Sequence, residues 1–130
     1  MPLGHKQLYT QQLISNLPND LFVFGDNMSR TGFGGQAKAV RGFFNAIGIP
    51  TKWAPSNMTA SYFSDKDYAF VAPVIYGDFR KVELYLGQEK RVWLPADGIG
   101  TGLADLRNKA PSILQLINSE ITRLRKMYGE

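Results

Sequence analysis

Two glycine-rich turns constrain the fold of this chain more than any other feature of its sequence. The first turn, residues 32–36 (GFGGQ), follows the apolar run 21–24, and the second, residues 98–102 (GIGTG), follows residues 91–95. Glycine lets the backbone approach a ligand closely and adopt positive φ. A helix-like run follows each turn, and the start of a helix directs unpaired N–H groups and a positive dipole end towards the turn. The two turns therefore predict two anion-binding cradles, each suited to a phosphate.

Strand-like and helix-like runs alternate along the chain, which predicts an α/β fold. The length favours one domain over residues 1–130, built as three α/β/α layers around a mostly parallel central sheet. Ligands of such folds lie at the carboxyl ends of the strands, where both turns are expected. The predicted strands are 21–25, 46–51 and 90–94, and the predicted helices are 8–17, 35–45 and one that starts at Asn108 or Ala110.

The segment from residue 64 to about residue 87 has no single interpretation. Ser64 is a candidate N-cap, which favours a helix after it. Pro73 and Gly77 interrupt the helical pattern, however. The sequence leaves a helix, a pair of strands, or one of each open for this segment.

The composition excludes several classes of protein. The chain has no Cys and a single His, so disulfides, thiolate metal sites and a histidine zinc site are excluded, whereas carboxylate-bound Mg²⁺ stays open. No apolar run approaches the ~20 residues of a membrane span, and the first residues lack the apolar core of a signal peptide. We therefore expect a cytoplasmic protein with no membrane partner. No residue is assigned to a metal, and no cofactor is expected.

The charge is mildly basic, with a net charge of +4 and a pI near 9.4, which suits an anionic ligand. The basic residues are scattered along the chain. Their densest cluster, residues 123–126, is expected to face solvent near the end of the last helix, where cations favour the dipole. This dispersed charge argues against nucleic acid as a partner, although nucleic-acid binding is kept as a third functional class.

The first turn has three competing interpretations. Its glycine spacing, Gly32-x-Gly34-x-x-Ala37, matches a loose dinucleotide fingerprint. The acidic residue that would hold a ribose hydroxyl is missing from the end of the next strand, and no Gly-Lys-Ser/Thr follows for a Walker loop. A pair of tight turns without a ligand is the second interpretation, and a pocket for ADP-ribose is the third.

The third interpretation rests on a resemblance carried by an ordered set of motifs. These are Val23-Phe24-Gly25-Asp26-Asn27, the first turn with Ala37, Ile49-Pro50-Thr51-Lys52, and the second turn with Leu103. Together they resemble the macrodomain-like proteins of bacteria and phages, which are related to ADP-ribose-1''-phosphate phosphatases and ADP-ribosyl hydrolases. The resemblance covers residues 20–53 and 91–118, and residues 54–90 carry none. The resemblance implies a macrodomain-like fold. If the protein is phage-encoded, we expect it in the cytoplasm of the host.

The resemblance implies which residues contact the nucleotide. Asn27 matches the asparagine that contacts the distal ribose, and the glycines of the two turns would pack against that ribose and wrap the diphosphate. Asp26 could accept a hydrogen bond from the adenine amino group or a ribose hydroxyl, and Phe33 or Trp53 could stack on the base or line the distal ribose. The expected ligand-binding residues are Asp26, Asn27, Phe33, Gly34, Gly35, Gln36, Trp53, Gly98, Ile99, Gly100, Thr101 and Gly102.

The candidate catalytic residues are Lys52, Asp105 and Asp97. The terminal ADP-ribose glycohydrolase branch of the macrodomains uses a strand-end Lys, matched by Lys52, and an Asp directly after the second glycine loop. Asp105 lies one residue later than that pattern, which rotates a helical side chain by about 100°, so Asp97 is the second candidate. A neutral lysine amine could attack the anomeric carbon, and a carboxylate could transfer protons. Two alternatives for Lys52 stay open: it could be an exposed lysine without a role, or it could neutralise the charge of a phosphate.

The expected function is therefore binding of ADP-ribose or a related nucleotide, with hydrolysis of an ADP-ribose derivative. The reaction would remove ADP-ribose from a modified macromolecule or dephosphorylate ADP-ribose-1''-phosphate. The alternative is a binding module without catalysis that reads or sequesters an ADP-ribose-type signal nucleotide. The two differ in whether the cavity holds a competent nucleophile.

Overall fold

The core of the molecule is a four-stranded sheet in which every neighbouring pair of strands is parallel. It is seen in a computed structural model that describes residues 3–6, 9–33 and 37–129. The strands are β1 (Leu3–Lys6), β2 (Leu21–Asn27), β3 (Ala46–Lys52) and β4 (Val92–Pro95), in the order β1-β4-β2-β3. The helices are α1 (Gln11–Asn16), α2 (Ala37–Val40), α3 (Tyr68–Gly87), α4 (Leu106–Lys109) and α5 (Pro111–Tyr128), and 3₁₀ turns cover Thr59–Ser61 and Asp65–Asp67.

Helices cover both faces of the sheet because the side chains of the central strand β2 alternate between two apolar clusters. Leu21 and Val23 pack into a large core with the buried faces of α3 and α5. Phe22 and Phe24 point to the other face, into a smaller core with α1 and α2. The predicted α/β fold with a parallel sheet is confirmed.

The boundaries of several elements differ from the predictions. No strand was predicted before residue 21, yet Leu3–Lys6 pairs with β4 at one edge of the sheet. Four residues that include Gly4 are too few to show the alternating pattern of a strand. The strand forms because these residues pair with β4. The helix predicted over 35–45 is α2, which ends at Val40. Gly42 follows with a φ of 94°, a left-handed conformation that the helix cannot continue through.

The segment that the sequence left open is a single helix, α3, of 20 residues. A capping box between Ser64 and Asp67 precedes it, with the Ser64 amide donating to Asp67 Oδ2 at 2.8 Å. Pro73 lies exposed on the outer side of α3, and the buried residues around it keep helical spacing against the core. This packing outweighs the hydrogen bond that the proline removes. Neither α3 nor any other helix among the described residues is long and apolar enough to span a membrane.

The topology creates a crevice between the carboxyl ends of β2 and β4, which are neighbours in the sheet. The chain after β2 crosses to α2 on the face of the smaller core, whereas the chain after β4 crosses to α4 and α5 on the face of the larger core. Such a switch point is where ligands of open parallel sheets bind. Both glycine turns begin at this crevice.

Candidate functional site

A cavity of about 380 Å³ lies at the carboxyl ends of β2, β3 and β4. Gly32, the first residue of the first glycine turn, and Ala37, which follows that turn, line this cavity together with all five residues of the second turn. Gly34, Gly35 and Gln36 lie outside the described residues, and their predicted contacts stay predictions. The structure thus places the start of the first turn, the residue after it and the whole second turn on one cavity.

The second turn leaves four of its five amides without an acceptor among the described residues, and the fifth, the Gly98 amide, donates to the Pro95 carbonyl at 3.1 Å. Gly98 and Gly100 adopt φ values of 87° and 83°, and the Gly100 carbonyl accepts from the Leu106 amide at 3.1 Å. The amides of Ile99, Gly100, Thr101 and Gly102 have no protein acceptor within the described part of the chain. The Thr101 hydroxyl donates to the Asp97 carbonyl at 2.7 Å, so that it braces the turn. Free main-chain amides in a turn of this kind are suited to an anion.

The helices after the two turns contribute less to anion binding than the sequence suggested. Both α2 and α4 have four residues. The helix dipole is a sum over aligned peptide units, so a helix of one turn adds little to it. The capacity of this site to hold an anion therefore rests on the amides of the turns themselves.

Gly25 forms part of the cavity lining beneath the second turn. A Cβ atom placed on Gly25 would lie 3.8 Å from Ile99 Cγ2, 3.9 Å from Thr51 Cγ2 and 4.0 Å from the Gly100 nitrogen. The missing side chain therefore leaves the Gly100 amide uncovered. The sequence placed Gly25 at the end of a strand and in the first motif of the resemblance, but not among the ligand-binding residues, because the local pattern does not show which distant residues lie near it.

Asn27 lines the cavity and also organises the chain that leads into the first turn. Its Nδ2 donates to the Thr31 carbonyl at 2.8 Å, and its Oδ1 accepts from the Ser29 hydroxyl at 2.5 Å. These bonds fix the conformation of residues 27–31. The predicted contact with a distal ribose remains a prediction, and it would use the second Nδ2 hydrogen.

Asp26 is a buried carboxylate that two arginines neutralise. Arg41 Nη2 donates to Asp26 Oδ1 at 2.6 Å, and the Asn27 amide donates to the same oxygen at 2.8 Å. Arg30 Nη1 lies 3.8 Å from Asp26 Oδ2, and Arg30 Nη2 donates to Asp78 on α3 at 2.6 Å. Sequence analysis missed both arginines. Asp26 and Arg41 are 15 positions apart, so no local spacing could have indicated their pairing.

Gly48 provides the space that the Asp26 carboxylate occupies. A Cβ atom on Gly48 would overlap that side chain, since it would lie 2.5 Å from Asp26 Cβ and 2.8 Å from its Cγ. We expect Gly48→Ala to lower the free energy of unfolding by about 2–4 kcal/mol, because it displaces a buried, paired carboxylate. Gly77→Ala is the control: its Cβ meets nothing within 4 Å on α3, and we expect it to stabilise by about 0.5–1 kcal/mol. Urea denaturation measures both, and equal effects would contradict this account of Gly48.

Lys52 is the buried cation of the cavity. It is 7% exposed, its Nζ donates to the Ser56 carbonyl at 2.6 Å, and this nitrogen lies 4.3 Å from the centre of the Tyr62 ring. Burial lowers the pKa of Lys52 below its ordinary value. A lowered pKa raises the fraction of neutral amine, which is the nucleophilic form.

The two candidate carboxylates occupy different places. Asp97 is exposed and lines the cavity that Lys52 also lines. Asp105 is not among the lining residues; it has a φ of 49°, and its Oδ1 accepts from Asn108 Nδ2 at 2.8 Å. The structure therefore brings Lys52 and Asp97 to one cavity and leaves Asp105 at the start of α4.

Neither aromatic residue proposed as a wall for the base lines the cavity. Phe33 is 66% exposed. Trp53 packs edge-to-face on Phe63, with ring centres 5.3 Å apart, and its Nε1 donates to Asp67 at 3.2 Å. The apolar part of the lining comes instead from aliphatic residues, which include Pro55, Pro95, Ile99 and Ala104.

Comparison with known proteins places the chain in a family whose function is unknown. The sequence profile of DUF7831, a family of unknown function, matches residues 4–120. No curated protein and no solved structure matches the chain.

Proposed function

Since the chain belongs to the DUF7831 family, whose function is unknown, we propose from the cavity itself that the protein binds ADP-ribose or a related nucleotide and hydrolyses an ADP-ribose derivative. The observation that carries this proposal is the convergence of the two turns. The second turn lines the cavity with its free amides, of which the Gly100 nitrogen lies 4.0 Å from a Cβ placed on Gly25, and Gly32 of the first turn lines the same cavity. This arrangement suits a diphosphate held between two stretches of main chain, as in the macrodomain-like proteins that the sequence resembles.

The rest of the cavity suits a nucleotide. Its volume lies in the range of small-molecule sites, and it combines aliphatic walls with a few convergent polar groups. Among the described residues, the lining has two cations, Arg41 and Lys52, and one buried carboxylate, Asp26, which pairs with Arg41. A negatively charged diphosphate would therefore not face an unpaired buried carboxylate at Asp26.

Lys52 supplies the nucleophile of the proposed reaction. Its neutral Nζ would attack the anomeric carbon of the distal ribose, so that an N–C bond forms while the bond from this carbon to the leaving oxygen breaks. The leaving oxygen keeps the electron pair, and Asp97 would take the proton released by the amine and return it to that oxygen. Water then displaces Lys52 from the anomeric carbon, which releases ADP-ribose and restores the amine.

A binding module without catalysis is the second candidate, and one observation favours it. Asp105, the closest match to the catalytic aspartate of the resembled glycohydrolases, bonds to Asn108 and does not line the cavity. If Asp97 does not substitute for it, the cavity would hold the nucleotide without turning it over.

Calorimetry with ADP-ribose, NAD, AMP and ADP-ribose-1''-phosphate tests the proposed function. We expect ADP-ribose to bind at least tenfold more tightly than AMP, because AMP lacks the diphosphate that both turns would contact. Release of phosphate from ADP-ribose-1''-phosphate, or of ADP-ribose from a modified protein, would identify the hydrolase; tight binding without either would identify the binding module. Equal affinity for AMP and ADP-ribose, or no binding of any nucleotide, would contradict the proposal.

A further inference from the structure

Arg41 occupies a distinctive position beside the first glycine turn. It follows α2 directly, its side chain is 18% exposed, and it lines the cavity. Its Nε donates to the Gly32 carbonyl at 2.6 Å, and its Nη2 donates to the Thr31 carbonyl at 3.0 Å and to Asp26 Oδ1 at 2.6 Å. Three of its five N–H groups are thus engaged by close acceptors, and Nη1 lies 3.5 Å from Asp26 Oδ2. A guanidinium with so few free donors is better suited to holding the turn than to binding a ligand.

The two carbonyls that Arg41 holds determine where the neighbouring amides point. In a trans peptide the C=O and N–H groups point to opposite sides, and the described residues contain no cis peptide. The Thr31 carbonyl shares a peptide unit with the Gly32 amide, and the Gly32 carbonyl shares one with the Phe33 amide. Because both carbonyls converge on Arg41, both amides point away from it.

The amides of Gly32 and Phe33 have no protein acceptor among the residues that the structure describes. Gly32 lines the cavity, whereas Phe33, the next residue, is not part of its lining. Gly32 has a φ of 88°, and a Cβ there would lie 2.8 Å from Pro55 Cβ, so the turn needs glycine at this point. Two successive N–H groups on one side of the backbone form a concavity that binds anions.

We infer that Arg41 is a positioning residue: it holds the carbonyls of Thr31 and Gly32 so that the amides of Gly32 and Phe33 bind one phosphate of the ligand. Asp26 fixes the guanidinium in turn, through a partly buried ion pair with an Nη2–Oδ1 distance of 2.6 Å. The inference rests on the proposed function in that the ligand carries a diphosphate. It concerns the anion alone, however, so inorganic pyrophosphate tests it separately from the nucleotide.

The experiment follows backbone amide resonances by NMR while pyrophosphate, and separately ADP-ribose, is added to the wild type, Arg41→Lys and Arg30→Lys. In the wild type we expect Gly32, Phe33, Gly100 and Thr101 to shift. Arg41→Lys keeps the charge but lacks the planar fork for two carbonyls and a carboxylate. We expect its affinity to fall about tenfold or more, with the Gly32 and Phe33 shifts lost and the Gly100 and Thr101 shifts retained at higher ligand concentration.

Arg30→Lys is the matched control. Arg30 also lies near Asp26, but its hydrogen bonds go to the Gly48 carbonyl and Asp78, and it does not line the cavity. We expect its affinity for pyrophosphate to stay within about threefold of the wild type. A general loss in both variants would show that the charge network matters only for folding and would overturn the positioning role.

The outcomes separate the inference from the proposed function. Shifts of all four wild-type amides with pyrophosphate but not with ADP-ribose would support the inference and contradict the nucleotide. ADP-ribose that shifts Gly100 and Thr101 while neither ligand moves Gly32 or Phe33 would overturn the inference and leave the nucleotide in place. If Arg41→Lys does not fold, the test rests on the chemical shifts of the wild type. We expect the Gly32 and Phe33 amides to shift when pyrophosphate is added. If they do not shift, the inference is overturned.

Discussion

Replacing Lys52 with methionine is expected to lower turnover of an ADP-ribose derivative by about a thousandfold or more, while ADP-ribose affinity changes by less than about fivefold. Methionine keeps an unbranched apolar stem beside the Tyr62 ring but has no nucleophilic nitrogen. A loss confined to kcat means that the missing group acts in the transition state and not in ground-state binding. Single-turnover assays and calorimetry on the same samples measure the two quantities.

The pH dependence follows from the same side chain. Burial holds the pKa of Lys52 below its ordinary value of 10.5, so the amine loses its proton at lower pH than a free lysine does. Activity should rise with pH through this lowered pKa, because the protonated form is not nucleophilic. Stability follows the same sign: between the folded-state pKa and 10.5 the unfolded chain binds more protons at this site, so the contribution of Lys52 to stability rises with pH over that range. Urea denaturation over a pH series should show a smaller rise in Lys52→Met.

Lys109→Met is the matched control for Lys52→Met. Lys109 Nζ lies 5.1 Å from the centre of the same Tyr62 ring, but the residue is exposed and does not line the cavity. We expect its turnover to stay within about twofold of the wild type. Full activity in Lys52→Met, or an equal loss in both variants, would remove Lys52 from the proposed mechanism.

Gly25→Ala is expected to weaken ADP-ribose binding by about tenfold to a hundredfold without unfolding the protein. The new methyl group makes ordinary van der Waals contacts with Ile99 and Thr51, so the strand can accept it. It would also lie 4.0 Å from the Gly100 nitrogen and partly cover that amide from the ligand. Losing hydrogen bonds to a charged phosphate has an effect of this size. Calorimetry measures the affinity, and thermal denaturation shows that the fold is kept.

Gly77→Ala is the control for Gly25→Ala. Gly77 lies on α3 and does not line the cavity, its Cβ would meet nothing within 4 Å and its φ is not positive. We expect its affinity to stay within about threefold of the wild type. Gly100 is unsuitable for this comparison, because its φ of 83° and a clash with Leu106 would disturb the turn itself. Unchanged binding in folded Gly25→Ala would place the anion elsewhere.

The sequence predicted those features that short-range patterns determine. The apolar runs at 21–25 and 46–51 are strands because each buries a continuous stretch in the sheet. Pro111 marks the first residue of α5, where its missing N–H costs nothing. The alternation of strands and helices predicted the parallel sheet, and from that topology both glycine turns were expected at the carboxyl ends of the strands.

Features that depend on distant residues could not be predicted in this way. β1 exists because it pairs with β4, almost ninety positions later. α3 continues through Pro73 because its buried face packs on the core. The Arg41–Asp26 pair joins the end of α2 to the end of β2, and Trp53 packs on Phe63 and not on the cavity. In each case a tertiary contact determines the structure, either because it outweighs the local preference of the sequence or because there is no such preference.

A crystal structure of the protein with ADP-ribose tests the convergence of the two turns most directly. The account predicts that diphosphate oxygens lie about 2.7–3.2 Å from the Gly100 or Thr101 nitrogen on one side and from the Gly32 or Phe33 nitrogen on the other. A diphosphate that contacts neither turn, or a nucleotide bound away from the crevice between β2 and β4, would contradict it.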